Sequence, residues 1–123
     1  MPHMDVALKD AMQIDGSIGA ALVDLDSGMA LGTTGGSKDF DPTIAAAANT
    51  EVIRAKLRTM EMLGLQESIE DMLVTLTTQY HLIRPLTGRS GKGLFLYLAL
   101  SKDRANLALA RHQLKRIGSL LDI

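Results

Sequence analysis

The sequence predicts a single α+β domain with the element order α-β-β-α-β-β-β-α and an antiparallel sheet covered by helices on both faces. Three observations predict it. Two segments, Ser17 to Asp24 and Leu94 to Leu100, are apolar at odd and even positions alike, as strands buried on both faces are. Short turn clusters join successive strand segments, which makes consecutive strands hairpin partners. A long helix from Pro42 to Leu63 and a clean amphipathic stripe near the C-terminus supply the covering layers.

The chain has 123 residues, 46% hydrophobic, 3% aromatic and 22% charged, with a formal net charge of −1. That length fits one domain, since compact domains usually run to roughly 100–150 residues. The apolar fraction is too high for a disordered chain. No run of about 18 apolar residues is present, so no transmembrane helix is expected. Balanced charge gives no electrostatic footprint for nucleic acid or anionic lipid. The chain has no cysteine, hence no disulfide, thiolate metal site or Cys nucleophile. No signal peptide is recognisable at the N-terminus, and the cytoplasm is the expected location. Met1-Pro2-His3 reads as a cloning remnant before a start at Met4, which makes 4–123 the domain. With two Phe, two Tyr and no Trp, the core must draw its burial from many aliphatic side chains.

The first helix is expected over Asp5 to Ile14, with Met4, Leu8, Ala11 and Met12 on one face. Asp15-Gly16 ends it. The strand Ser17 to Asp24 turns at Asp24-Leu25-Asp26-Ser27-Gly28 into a second strand, Met29 to Thr34. Asp41 caps the long helix, Pro42 occupies its first position without losing a hydrogen bond, and Gly64 stops it. Strands follow at Ser68 to Thr77, Tyr80 to Leu86 and Leu94 to Leu100, with Pro85 at a strand end. Ser101 or Asp103 caps the last helix, whose stripe is Leu107, Ala110, Leu114, Ile117 and Leu121.

The long helix is more apolar than one sheet requires. Glu51, Arg54, Arg58 and Glu61 make one narrow polar stripe, while Ile44, Ala45, Ala48, Val52, Ile53, Ala55, Leu57, Met60, Met62 and Leu63 surround the rest. A helix lying on a sheet needs an apolar arc of about 100° or somewhat more. This arc is about twice that, so the helix is expected to pack on its own sheet and against another chain.

No self-contained catalytic constellation emerges. Gly88 to Gly93 looks like a phosphate loop but has Leu86 where the motif puts a glycine four intervening residues before Gly-Lys, has Gly93 in place of the following Ser or Thr, and leads into a strand. It is expected to be a mobile hairpin tip. His81 and His112 have no ligand-like partners at helical or strand spacing, so no metal or other cofactor is expected. Asp24 and Asp26 belong to turn chemistry rather than a calcium loop. Glu70 and Asp71 are expected on opposite faces of a strand, which excludes a carboxylate dyad. The stripe Glu51/Arg54/Arg58/Glu61 has two readings: a solvated face stitched by i,i+3 and i,i+4 pairs, or a platform for a partner at a subunit boundary.

Taken in order, Gly16-Ser17-Ile18-Gly19-Ala20-Ala21-Leu22-Val23-Asp24, the turn Asp26-Ser27-Gly28, Ile44-Ala45-Ala46-Ala47-Ala48, Leu82-Ile83-Arg84-Pro85-Leu86 and Ala105-Asn106-Leu107-Ala108-Leu109-Ala110-Arg111 make the chain resemble the roadblock/LC7 family, bacterial branch. The departures are minor: Ser17 where Val is common, and Ser27 extending the first turn. The resemblance implies a profilin-like fold with a five-stranded antiparallel sheet in the order 2-1-5-4-3. It implies pairing of two copies through the third strand and the second helix, with Val52, Ile53, Leu57, Met60, Met72, Val74 and Leu76 in or near the contact. Pairing would also remove an open sheet edge.

The same resemblance implies a non-enzymatic homodimer that regulates a small Ras-like GTPase, and on the platform reading of the stripe Glu51, Arg54, Arg58 and Glu61 are the candidate residues for that partner. Some members act on the GTPase's own residues without inserting an arginine, so no finger role is assigned to Arg54 or Arg58. A structural adaptor with no effect on hydrolysis is the alternative. An autonomous enzyme or small-ligand sensor on the same fold is a third reading, because fold does not settle function.

Overall fold

The computed structural model describes residues 3–38, 40–86 and 93–121. Its elements are α1 (Met4–Met12), β1 (Ser17–Asp24), β2 (Ala30–Gly35), α2 (Pro42–Met62), β3 (Met72–Thr75), β4 (Gln79–Pro85), β5 (Leu94–Ser101) and α3 (Leu107–Leu120). The five strands form one antiparallel sheet in the order β2-β1-β5-β4-β3. The expected element order and fold class both hold.

The two strands that are apolar on both faces are central, and their side chains divide between two cores. Ala20, Leu22, Leu96, Leu98 and Leu100 face α1 and α3, meeting Leu8, Ala11, Ala110 and Leu114. Ala21, Val23, Phe95 and Tyr97 face α2, meeting Ala46 and Ile53. The alternation of a strand's side chains produces this split, with one inward set per layer. Helix α2 lies over β1 and β2. At the far end of the same face, Val74 and Leu76 remain exposed.

Local chemistry sets several element ends. The Asp41 carboxylate accepts from the backbone N–H of Thr43 at 2.8 Å and of Ile44 at 3.4 Å, with Pro42 at the first helical position. The β1–β2 turn closes through Asp24, which accepts from the Ser27 hydroxyl at 2.8 Å.

Other boundaries differ from the sequence reading. Helix α3 is capped by Asn106, whose Oδ1 accepts from Leu109 N–H at 3.1 Å, because Ser101 stays in β5 and the chain turns once more before the helix. Strand β3 covers Met72–Thr75 alone, and Ser68 to Asp71 precede it. Glu70 and Asp71 therefore do not alternate across a strand; Asp71 is taken by arginines instead. Residues 87–92 of the glycine-rich loop lie outside the described residues. No helix among the described residues is long and apolar enough to cross a membrane.

Candidate interaction surface

Two elements build the surface: the outer side of α2 and the edge strand β3. On α2, Ile44, Val52, Leu57 and Met62 are exposed, Met62 to 86%, as is Leu63 at its C-cap. Beyond the helix Leu65 is exposed too, and on the sheet edge so are Leu73, Val74 and Leu76. Such a concentration of large aliphatic side chains is more than isolated surface residues explain.

The structure sorts the seven residues expected at a contact with another chain. Val52, Leu57, Val74 and Leu76 are exposed, and Met72 is partly buried. Ile53 is not on the outer surface: at 1% exposure it belongs to the protomer's own core beside Ala21, Phe95 and Tyr97. Met60 is likewise buried at 8%. Ile53 packs on the protomer's own sheet and Met60 sits beside the segment that follows the helix, so both side chains are taken up within one chain.

The polar stripe is sorted in the same way. Glu51, Arg58 and Glu61 are exposed. Arg54 is committed within the chain. Its Nη1 pairs with Glu51 Oε1 at 2.6 Å, and its Nη2 donates to the carbonyl oxygens of Leu25 at 2.9 Å and Asp26 at 2.6 Å. A guanidinium offers several donors in a fixed fork, and here the two carbonyl contacts hold the β1–β2 turn against α2. Arg54 is a brace, and a partner would meet Glu51, Arg58 and Glu61 first.

A polar chain under α2 has no counterpart in the sequence pattern. Tyr97, fully buried on β5, has its hydroxyl 3.2 Å from His81 Nδ1, with Asn49 of α2 beside it. His81 Nε2 lies 2.8 Å from Gln79 Oε1. Phe40 stacks on Tyr97 with centroids 6.2 Å apart. Burial pushes the Tyr97 hydroxyl up to about 12 and holds His81 below its ordinary value. His81 and Tyr97 become neighbours only through the β4–β5 register, which pairs Ile83 with Tyr97 and His81 with Ala99. Among the described residues no three His, Asp or Glu side chains converge as a metal site would require.

An antiparallel five-stranded sheet in the order 2-1-5-4-3, with one long helix on one face and the first and last helices on the other, is the arrangement of the roadblock/LC7 fold. Solved structures carry the assignment. The chain is similar to a roadblock/LC7 domain from Streptomyces avermitilis, with TM-score 0.79, 14% identity, 96% of this chain and 93% of that chain covered. It is similar to MglB of Myxococcus xanthus, with TM-score 0.72, 18% identity and coverage of 92% and 83%. It is also similar to the gliding protein MglB of Thermus thermophilus, with TM-score 0.66, 17% identity and coverage of 92% and 86%. No family model and no curated protein matches the sequence. The chain has the roadblock/LC7 fold.

Proposed function

We propose that this chain is a non-enzymatic cytoplasmic module that pairs with a second copy of itself and regulates a small Ras-like GTPase. The observation that carries the reading is the contrast between the two sheet edges. Leu76 N–H bonds Gln79 O, so in the β3–β4 ladder Met72 and Val74 turn their backbone groups inward, while Leu73 and Thr75 turn theirs to the open side. This edge has an unbroken register and is flanked by exposed Leu73, Val74 and Leu76. The opposite edge, β2, is blunted by a register shift at Leu22/Val23 and by Gly35 in the left-handed region at φ 71°. Irregular edges resist pairing and regular apolar ones invite it. The exposed side of α2 gives a second element that pairing would cover.

The GTPase half of the reading draws on the resemblance of the sequence and on the likeness to MglB, described as a gliding protein. The exposed charges Glu51, Arg58 and Glu61 would lie beside their counterparts in a pair and form a composite platform. A structural adaptor would use the same pairing without altering any rate.

Sedimentation equilibrium tests pairing: the wild-type chain should be dimeric and Val74→Lys monomeric with an unchanged circular dichroism spectrum. A wild-type monomer at high concentration would overturn the reading. Single-turnover GTP hydrolysis by a Ras-like GTPase that binds the chain then separates regulator from adaptor, and an unchanged rate at saturating binding would favour the adaptor.

A further inference from the structure

We propose that His81 is a proton-operated latch that fixes the first half of α2 to the sheet when neutral and releases it when protonated. The argument starts from which atoms can donate. Gln79 Oε1, 2.8 Å from His81 Nε2, can only accept, so Nε2 carries the ring proton. Nδ1 then holds a lone pair, and the Tyr97 hydroxyl 3.2 Å away donates to it. Asn49 of α2, whose Nδ2 donates to Ala45 O at 2.7 Å, stands beside the Tyr97 hydroxyl in the same concavity. A hydrogen-bonded path thus joins β5 to β4 through Tyr97, His81 and Gln79, and Asn49 packs α2 against it.

Protonating His81 puts a second N–H on the ring, facing Tyr97. The hydroxyl must then accept from it, and its own proton loses the acceptor in a place where Tyr97 has no exposure. A buried donor without a partner is costly, so the imidazolium is incompatible with the path as built. No neighbouring charge among the described residues rescues it. The concavity beside the ring, of about 480 Å³, is lined by Lys38, Phe40, Asp41, Ile44, Ala45 and Asn49 along with His81 and Tyr97. Lys38 opposes a second cation, and the Asp41 carboxylate, though charged, makes no ion pair with the ring and bonds through Oδ1 to the first turn of α2. On β3 the residue in register with His81 is the uncharged Val74. Burial of the ring acts in the same direction.

The sign follows from these groups. With the folded-state value of His81 below the unfolded one, the folded chain binds fewer protons, and stability falls as pH drops through the ordinary histidine range. The effect belongs to a single chain and stands whether or not two copies pair.

Two measurements test it on the intact protein. Imidazole titration by NMR should place His81 below an unfolded-chain histidine. Amide exchange across Ala46 to Ile53, corrected for intrinsic chemistry, should be several-fold faster at about pH 5 than at about pH 7.5. His81→Gln and Tyr97→Phe should each abolish that acceleration. A His81 that titrates at or above the unfolded value, or an undiminished acceleration in either folded variant, would overturn the proposal. Should His81→Gln fail to fold, the wild-type titration and Tyr97→Phe decide it.

Discussion

Arg111 grips Asp71 through two parallel hydrogen bonds, Nε to Oδ2 at 2.9 Å and Nη2 to Oδ1 at 2.8 Å. The contact ties α3 to the residue that immediately precedes the edge strand β3. Arg84 Nη1 stands 3.8 Å from the same carboxylate, so one acid serves two bases. The Asp71 hydrogen bond, and then its charge, hold the Arg111 guanidinium above its ordinary value.

The two partners of this contact should not be equivalent. The Asp71 and Arg84 side chains are 14% and 17% exposed, whereas Arg111 is 49% exposed. Removing the acid leaves a largely buried guanidinium without its counter-charge. Asp71→Asn should therefore cost about 1–3 kcal/mol in urea unfolding. Arg111→Ala, on the solvent-screened side, should cost about 1 kcal/mol or less. Equal costs would locate the energy in the Arg111 pair alone and leave Arg84 without a part.

Arg54 and Arg58 look alike on a helical wheel and should behave differently. Arg54→Ala breaks the two bonds to the Leu25 and Asp26 carbonyls and should lower stability by about 1–2 kcal/mol. Arg58→Ala, on an exposed turn of α2, should change stability by about 0.5 kcal/mol or less. For partner binding the order should reverse, with Arg58→Glu weakening binding at unchanged melting temperature. Arg58→Glu binding as well as wild type would remove that part of α2 from the platform.

What local pattern reveals, and what it does not, divides along a physical line. β1 and β5 are legible because a strand buried on both faces is apolar at every position, and α2 because Asp41-Pro42 begins it and Gly64 follows it. The cap of α3 is not, since Ser101, Asp103 and Asn106 are all competent caps and the end of β5 decides among them. The excess apolar arc of α2 is legible, but not which stripe of it the protomer keeps. A wheel that is apolar nearly all round does not say that Ile53 and Met60 turn inward while Val52 and Leu57 stay out. Arg54 reaches carbonyls 28 and 29 residues away, and His81 meets Tyr97 across 16 residues. Both contacts depend on strand register and helix placement, which local pattern does not carry.

Adjacent residues on α2 make that division measurable. Ile53→Ala should destabilise the chain by about 2–4 kcal/mol, since truncating a fully buried side chain both loses transfer energy and leaves a cavity. Val52→Ala should cost the isolated chain about 0.5 kcal/mol or less, Val52 being 41% exposed. In a pairing assay the ranking should change: Val52→Lys should weaken self-association far more than it lowers chain stability. If Val52→Lys left the dimer intact, the contact would have to lie closer to β3.

Two glycines separate backbone strain from steric exclusion. Gly35 and Gly64 share nearly the same left-handed φ, 71° and 70°. A Cβ on Gly35 would stand 2.6 Å from the Ile18 carbonyl oxygen and 2.8 Å from the Met12 methyl, while one on Gly64 would meet nothing within 4 Å. Gly64→Ala should therefore cost only the conformational penalty, about 1–2 kcal/mol. At Gly35 the backbone oxygen cannot withdraw without breaking its bond from Gly36 N–H at 2.8 Å, so Gly35→Ala should exceed Gly64→Ala by at least about 1 kcal/mol. Matched denaturation curves for the two variants check this. Equal losses would mean that the β1–β2 end of the sheet shifts freely, and β2 would then lose one of the two irregularities that keep its edge from pairing.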